Sequence, residues 1–328
     1  MAKHDLSFYL PEELPDFVAG STTSTRVASG KALNDYTLSI PLLIGGSADV
    51  AGSVNTLIKD DFKFGLEPHG HNVYYGVREH AMSLAQSGIL LYGLVRPYVG
   101  CFLVFMDYLK PSLRTQALMG LPSINIFTHD SIAVGEDGPT HQPIEHINSL
   151  RLIPNTVNIR PSGALETMYA TRFALENTSN PVNLILSRQS MPIPCDVSYE
   201  EFKKGAYIVK DYKDYDLVLI TTGSEVKLGM EVSNELSNHN IKARVISMPS
   251  VELFEQNSNG FKEGILGRNR EKIIAIEMGS SALWYKYASI VFGIDSFGAS
   301  GKASDVINHY KFTKDDITSK ILELLNKR

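Results

Sequence analysis

The sequence is poor in cysteine and in long apolar runs, and both scarcities argue against whole classes of protein. Its 328 residues include two cysteines, Cys101 and Cys195, and no Cys-x-x-Cys motif, which argues against a disulfide scaffold and a thiolate zinc site. No apolar run approaches the roughly 18 residues that a membrane-spanning helix needs. The polar start Met1–Asp5 lacks the apolar core of a signal peptide. We therefore expect a cytoplasmic protein with no membrane partner.

The sequence also lacks an excess of charge of one sign. Its 31 basic and 36 acidic residues give a formal net charge of −5, so no broad basic surface is available for nucleic acid or anionic lipid. Hydrophobic residues make up 43% and charged residues 20%, a composition typical of folded globular proteins. At roughly 150 residues per domain, the length fits about two domains.

Apolar runs alternate with helical patterns along most of the chain. Val157–Arg160 precedes the helical run Ala164–Glu176, and Asp216–Ile220 precedes a helix that opens near Gly223. Strands that alternate with helices of this length are typical of parallel sheets. The pattern predicts an α/β fold made of two successive parallel-sheet domains, with helices on both faces of each sheet.

A polar stretch at 193–215 separates the two α/β patterns and marks a domain boundary. It contains Pro194, Lys203, Lys204 and the charged run Lys210–Tyr215. The predicted organisation is an N-terminal arm at 1–20, a first domain at 21–192, a linker at 193–215 and a second domain at 216–328.

One loop concentrates reactive side chains. Thr128–Gln142, which follows the apolar run Ser123–Phe127, holds two histidines, three acids and two glycines. Ligands of open α/β sheets bind beyond the carboxyl ends of strands, so this loop is a candidate site, although a solvated polar loop remains an alternative. A metal site is a further alternative, but His141 and His146 are five positions apart, not the four that place two ligands on one helix face. Pro143 suits the first turn of a following helix.

Four other features have both a structural and a functional interpretation. Glu79 follows a strand–glycine break, where the helix dipole alone favours an acid. Phe102, Phe105 and Tyr108 would form one stripe if helical, which core packing also explains. The glycine-rich stretch 45–53 can present backbone N–H groups to phosphate. Arg188, directly after an apolar strand, can bind phosphate or be an ordinary surface charge.

Together these segments resemble the second half of the transketolases, in family order and over about residues 20–300. The matching segments are Thr25–Ser29, Gly45–Asp49, Gly76–Met82, Phe102–Tyr108, Phe127–Ser131, Gly135–Pro143, Leu186–Gln189 and Thr222–Val226. The resemblance implies a pyrimidine-binding domain at 21–192 and a transketolase C-terminal domain at 216–328. The Gly-Asp-Gly motif with which the family's first domain binds metal and diphosphate does not occur in the sequence. The implied cofactor is thiamine diphosphate, with Mg²⁺ held by an N-terminal subunit or domain and no metal ligand in this chain.

The resemblance implies cofactor contacts for five residues. Glu79 matches the family's activating acid, which hydrogen-bonds N1′ of the cofactor's aminopyrimidine. That role needs a carboxyl group that keeps a proton near neutral pH, as an apolar pocket allows. Phe102, Phe105 and Tyr108 would wall the pyrimidine, and Asp49 lies in the cofactor-contacting stretch.

The resemblance also implies substrate contacts. His141 would face the reacting carbons, where it can stabilise a developing alkoxide and move protons, and Asp137 would read a sugar hydroxyl. The implied sugar-phosphate ligands are Arg26, Ser53, His129 and Arg188, of which Arg26 and Ser53 are 27 positions apart, as in the family. Two departures, Met106 inside the aromatic motif and the residue inserted between Ser53 and Asn55, remove no chemical group.

The implied reaction transfers a two-carbon ketol unit from a ketose phosphate to an aldose phosphate, as in the pentose phosphate pathway, and needs the N-terminal partner. Self-association through the pyrimidine-binding domain is implied as well, as a homodimer or a heterotetramer. One alternative is the β-type subunit of another thiamine diphosphate enzyme, a 2-oxo acid dehydrogenase E1 or a deoxyxylulose-phosphate synthase-like protein. Another is a non-catalytic binding or regulatory subunit that keeps the fold. The phosphate-site matches, Glu79 and His141 favour the transketolase.

Overall fold

The computed structural model describes residues 5–6, 9–11, 21–65 and 70–326. Most of the predicted arm at 1–20 therefore lies outside the described residues. Of its described part, Leu6 is buried in the core of the first domain.

Strands and helices alternate along both halves of the described chain. The strands are β1 (Thr22–Ser24), β2 (Leu43–Ser47), β3 (Asn72–Tyr74), β4 (Arg96–Phe102), β5 (Ile124–Thr128), β6 (Val157–Ile159), β7 (Val182–Leu186), β8 (Ser190–Pro192), β9 (Tyr207–Lys210), β10 (Leu217–Thr221), β11 (Ala243–Ser247), β12 (Ile273–Ile276) and β13 (Ile290–Phe292). The α-helices are α1 (Thr25–Ser39), α2 (Ala51–Val54), α3 (Glu79–Tyr92), α4 (Met106–Met119), α5 (His146–Arg151), α6 (Ala164–Glu176), α7 (Tyr199–Phe202), α8 (Glu225–Asn238), α9 (Val251–Glu255), α10 (Asn259–Leu266), α11 (Ala303–His309) and α12 (Lys314–Asn326).

The first domain is built on a six-stranded sheet of order β3-β2-β4-β5-β7-β6, in which every strand pair is parallel. Successive side chains of a strand point to opposite faces. Along β4, Tyr98 and Phe102 join the core formed with α1 and α6, whereas Val99 and Cys101 join the core formed with α3 and α4. The sheet is thus covered by helices on both faces, as predicted.

The second domain has a five-stranded sheet of order β13-β12-β10-β11-β9. Its core with α8, α11 and α12 contains Leu219, and its core with α9 and α10 contains Ile220, the next residue of β10. The predicted fold class, two successive parallel-sheet α/β domains, is therefore confirmed. Two pairs depart from it: β9 runs antiparallel to β11, and β1 and β8 form a separate antiparallel two-stranded sheet in the first domain.

The stretch 193–215, predicted as a linker, contains ordered elements. It contributes the edge strand β9 and the short helix α7, whose N-terminus is closed by a capping box between Ser198 and Glu201. An edge strand tolerates polar, half-exposed residues because one of its sides faces solvent. The charged residues on either side of the short apolar run Ala206–Val209 therefore make this edge strand resemble a connection.

The two sheets meet through buried polar contacts. Glu166 on α6 accepts hydrogen bonds from Ser247 Oγ (2.7 Å) and Tyr207 OH (2.6 Å), both of the second sheet. Burial raises the pKa of Glu166, although these hydrogen bonds act against the rise. Asn158 Nδ2 donates to Glu252 Oε1 at 2.7 Å across the same junction. Among the described residues, no helix is both long enough and apolar enough to cross a membrane.

Candidate active site

The loops beyond the carboxyl ends of the first sheet gather most of the predicted site residues. The residues that end or closely follow β2, β4, β5 and β7 are, in that order, Asp49, Phe102, His129 and Arg188. Because these strands are parallel, their carboxyl ends lie along one edge of the sheet, where α/β proteins bind ligands. Glu79 reaches the same edge as the first residue of α3, after β3.

Two arginines and a serine that are predicted to bind the sugar phosphate lie together. Arg26, in the first turn of α1, donates from Nη1 to the carbonyl oxygen of Ser53 at 2.5 Å. Its backbone N–H donates to the carbonyl of Ser187, next to Arg188, at 3.4 Å. Partial burial, and secondly the charge of Arg188, lowers the pKa of Arg26. Arg26 Nε is buried and has no hydrogen-bond partner among the described residues.

His129 lies beside this pair in an unusual environment. Its side chain is buried, its backbone adopts φ 62° and its Nδ1 is 2.8 Å from Thr128 Oγ1. Burial, followed by the charges of Arg26, Arg188 and His141, lowers the pKa of His129 to about 3. His129 is therefore a neutral imidazole at ordinary pH and can serve an anion as a hydrogen-bond donor.

The aromatic residues form a stacked group against both loop histidines. The rings of Phe102 and Phe105 are stacked with centroids 5.7 Å apart. The His129 ring lies 3.8 Å from Phe102, and the His141 ring stands edge-on 5.4 Å from Phe105. Tyr108 extends the group at 6.2 Å from Phe105. The structure thus brings the predicted pyrimidine wall and the predicted proton-transfer residue together.

Core packing explains only part of this aromatic motif, and the motif is not one helical stripe. Phe102 ends β4 and is buried, a 3-10 helix spans Leu103–Phe105, and α4 begins only at Met106. Phe105 is half-buried, and Tyr108 is 65% exposed. Their open faces are available to a planar ring.

Glu79 and the two aspartates are less enclosed than the predicted roles require. Glu79 is half-buried and lies close enough to Cys101 that its charge, after burial, helps to raise the pKa of that thiol. Asp49 is exposed, with φ 62°. Asp137 is exposed at the tip of a loop between two glycines with positive φ, Gly135 and Gly138. The described residues alone do not close a pocket around these carboxyl groups.

The structure separates the two histidines considered as a metal pair. His141 faces Phe105, whereas the buried His146 has Nε2 3.2 Å from Asp107 Oδ2 and Nδ1 3.7 Å from Glu145 Oε2. These three residues could offer metal ligands, but Asp107 and Glu145 are exposed, and exposed acidic groups are common without an ion, so we assign no metal here. A cavity of about 330 Å³ beside them is lined in part by Phe105 and Tyr108.

Helix α5 begins at His146, three residues after Pro143. The prediction that Pro143 occupies the first turn of the following helix is therefore wrong. The intervening residues form turns and irregular backbone, so the proline precedes the helix without taking part in it.

Sequence reasoning missed a buried charge network behind the site. Arg160, after β6, pairs with Asp130 (2.8 Å), with Glu225 and with Glu277 (3.4 Å), and each of these four residues is at most 1% exposed. Arg151 holds Glu277 with two hydrogen bonds of 2.8 and 3.0 Å. The only local signal is an arginine directly after the apolar run Val157–Ile159, and its partners lie up to 117 positions away.

Comparison with protein families and curated proteins gives a consistent result. A family model described as "Transketolase, pyrimidine binding domain" matches residues 21–194, and one described as "Transketolase-like TK C-terminal domain" matches 205–313. The transketolase of Bacillus subtilis is 44% identical over 325 residues, which are 96% of this chain and 49% of that protein. The transketolase of Geobacillus stearothermophilus is 44% identical, over 96% of this chain and 48% of that protein. The chain thus spans about half the length of these relatives.

Solved structures with the same fold include whole transketolases and a shorter protein. Transketolase from Leishmania mexicana superposes with a TM-score of 0.92 at 35% identity, over 96% of this chain and 47% of that chain. Transketolase from Campylobacter jejuni gives 0.90 at 37% identity, over 97% and 49%. A protein described as "Split gene transketolase, inactive beta4 tetramer" gives 0.74 at 20% identity, over 92% of this chain and 98% of that chain; at this identity the likeness concerns the fold alone.

Proposed function

This chain belongs to the transketolase family, and we propose that it is the C-terminal half of a thiamine-diphosphate-dependent transketolase. The reaction would transfer a two-carbon ketol unit from a ketose phosphate to an aldose phosphate. The observation that carries the proposal is the convergence of Arg26, Arg188 and His129 beside His141 and the stacked phenylalanines. An anion site next to a half-buried imidazole suits a phosphorylated sugar whose hydroxyl groups must gain and lose protons.

The side chains of this chain fit the pyrimidine end of thiamine diphosphate. Phe105 and Tyr108 present open aromatic faces, and Glu79 offers a carboxyl group at the same edge of the sheet. When bound, the cofactor supplies the carbon nucleophile that accepts the two-carbon unit. The diphosphate and Mg²⁺ would be held by the N-terminal partner, since this sequence lacks the Gly-Asp-Gly motif.

Each site residue of this chain then has a defined task. Glu79 holds a proton at a pyrimidine ring nitrogen, and the aromatic residues orient the ring by stacking. His141 moves a proton at the substrate oxygen that changes its charge. Asp49 contacts the cofactor, and Asp137 accepts a hydrogen bond from one sugar hydroxyl. The sugar phosphate is held by Arg26, Ser53, His129 and Arg188.

The second half of the active site would come from an N-terminal subunit or domain. What supports this is that the chain spans about half of its relatives and that Glu79 and Asp137 are incompletely enclosed. We further propose self-association through α3 and α4, as a homodimer or a heterotetramer. Exposed apolar residues on these helices support it: Leu84, Leu91, Tyr92, Leu118 and Met119. The proposed location is the cytoplasm.

Reconstitution tests the function. The chain is mixed with the N-terminal half of a related transketolase, thiamine diphosphate and Mg²⁺, and the product of a ketose phosphate and an aldose phosphate is measured. We expect ketol transfer. Turnover of a 2-oxo acid in its place would point to another thiamine enzyme, and a stable complex without any turnover would point to a non-catalytic subunit.

A further inference from the structure

One segment that resembles the family, the turn Thr222–Glu225, has no task in the proposed function. It belongs to the second domain, where it follows β10 and ends at the first residue of α8, yet its contacts run to the first domain. Thr222 O accepts from Arg160 Nη1 at 3.3 Å, and Gly223 N donates to Arg160 O at 3.1 Å. The turn therefore packs directly behind the loops that carry the anion site.

One line of contacts runs from the turn to His129. Glu225 pairs with Arg160 Nη1, and Arg160 Nε donates to Asp130 Oδ2 at 2.8 Å. Asp130 directly follows His129, whose backbone is held at φ 62°. Because a buried charge cannot give up its partner without a large penalty, these groups hold one another in place.

A second line of contacts runs from the same turn to Arg188. Gln189, the next residue, donates from Nε2 to Ser224 Oγ at 2.9 Å and to Ser131 Oγ at 3.5 Å. Ser224 Oγ in turn donates to Glu225 Oε1 at 2.5 Å. Asp130, which follows His129, is therefore linked through Arg160 to Glu225. Gln189, which follows Arg188, is linked directly to Ser224, the neighbour of Glu225.

Gly223 is the residue of the turn that lies against the side chain of Arg160. Gly223 has φ 55°, and a Cβ atom there would lie 2.8 Å from Arg160 Nε. A side chain at this position would displace the guanidinium, so glycine is needed both for the backbone and for the contact. The network contains three carboxylates, on Asp130, Glu225 and Glu277, and the guanidinium groups of Arg160 and Arg151.

We propose that the turn Thr222–Glu225 of the second domain positions His129 and Arg188, and so sets how tightly the site holds a phosphate group. The inference rests on the proposed function in one respect, that these two residues bind phosphate. It assigns Glu225 and Ser224 as positioning residues, since neither belongs to the anion site itself.

Phosphate binding by the full chain tests this assignment without any need for turnover. Inorganic phosphate is titrated calorimetrically at constant ionic strength into the wild type and Glu225→Gln, which keeps the side-chain shape but removes the charge that holds Arg160. The matched control is Glu166→Gln, an equally buried carboxylate at the domain junction that bonds Ser247 and Tyr207 instead. Thermal unfolding of each variant confirms folding.

We expect Glu225→Gln to weaken phosphate binding about tenfold, in line with the loss of supporting partners at other preorganised sites, and Glu166→Gln to leave it within about twofold. An equal effect of both variants, or none from Glu225→Gln, would overturn the positioning role alone. A wild type that binds no phosphate would refute the anion site, and the proposed function with it.

Ser224→Ala keeps the proposal testable if Glu225→Gln does not fold. It removes one hydrogen-bonding hydroxyl and leaves the pairs of Arg160 intact. Loss of its hydrogen bonds with Gln189 and Glu225 should weaken phosphate binding at least about threefold. In the reconstituted complex it should raise KM for the aldose phosphate and leave kcat and the KM of an unphosphorylated aldehyde unchanged. A fall in kcat for both acceptors, or unchanged phosphate binding, would contradict the proposal.

Discussion

At the scale of single residues, His129 shows how surroundings alter a side chain. An exposed histidine is charged for much of the range below neutral pH. His129 lies against Phe102, among the charges of Arg26, Arg188 and His141, and burial with these charges lowers its pKa to about 3. A neutral imidazole next to two guanidinium groups would add a donor to the proposed anion site without adding charge repulsion.

This lowered pKa predicts a stability change with pH. The unfolded chain binds a proton at His129 near pH 6.5 and the folded chain only near pH 3. The free energy of unfolding therefore falls as the pH decreases through this window, because the unfolded chain binds the proton more readily. Between about pH 7 and pH 5 the loss should be about 2 kcal/mol. His129→Gln should remove this part of the acid-side loss, as measured by denaturant unfolding at both pH values. The exposed His239 gives the control, since His239→Gln should leave the pH dependence unchanged; equal slopes for both variants would contradict the prediction.

Glu79 gives a second prediction at this scale. Glu79→Gln keeps a hydrogen-bonding side chain at the start of α3 but removes the titratable proton. In the reconstituted enzyme, exchange of the cofactor's C2 proton should slow by roughly 10²–10⁴-fold, which is the usual rate enhancement by general acid–base catalysis. The fold should stay intact. Deuterium exchange followed by NMR measures it. Glu145→Gln, an exposed carboxylate beside α5, is the control, and an unchanged rate in Glu79→Gln would leave Glu79 as a helix-start acid.

At the scale of secondary-structure elements, close strand contact constrains β2. Gly46 lies opposite Val73 of β3, and a Cβ at Gly46 would lie 1.8 Å from the Val73 carbonyl oxygen. Neither backbone can yield without separating β2 from β3, the strands that lead to Asp49 and Glu79.

Gly46→Ala should therefore destabilise the chain by about 1–3 kcal/mol or more, as overpacking does. Gly260 on α10 is the matched control, because nothing lies within 4 Å of the Cβ it would carry. Gly260→Ala should stabilise the chain by up to about 1 kcal/mol, since alanine favours a helix. Chemical denaturation of the two variants measures the change in the free energy of unfolding that each substitution causes. A neutral Gly46→Ala would mean that the β2–β3 edge can move apart freely.

The element scale also separates what local sequence predicts from what it does not. The bounds of α6 follow from its helical pattern, and the structure places this helix where the sequence predicts it. The sequence pattern does not predict strand β4, because this strand begins with Arg96 and Pro97 and contains Gly100. Arg96 is buried there because its Nη2 donates to the carbonyls of Ala174 and Asn177 (2.8 and 2.7 Å), which lie far along the chain.

The same distinction applies to the site. The motifs that hold His129, His141 and the aromatic residues are contiguous in sequence, so the sequence alone suffices to recognise them. The pair Arg160–Glu225 joins two domains across 65 positions, and no local pattern indicates that these charges are buried. A supporting network of this kind becomes visible only when the domains are packed together.

At the scale of the whole molecule, one side of the site remains open. Phe105, Tyr108 and Glu79 are not enclosed by the described residues, and apolar side chains on α3 and α4 face solvent. Large exposed apolar areas are typical of protein interfaces. The chain also spans about half of its curated relatives. These observations support the proposal that another polypeptide segment completes the site.

The chain on its own should therefore be inactive and bind thiamine diphosphate weakly. Most of the cofactor's charge sits on its diphosphate, which proteins commonly hold through Mg²⁺ and carboxylate or carbonyl oxygens, and this sequence offers no Gly-Asp-Gly motif for that metal. Stacking on Phe105 and Tyr108 with one carboxyl contact should supply only a small part of the binding free energy. Calorimetric titration of the chain with cofactor and Mg²⁺, with and without the N-terminal half of a related transketolase, measures the difference. The partner should tighten binding by orders of magnitude and bring turnover with it. Sub-micromolar binding by the chain alone, or ketol transfer without the partner, would show that it completes its own site.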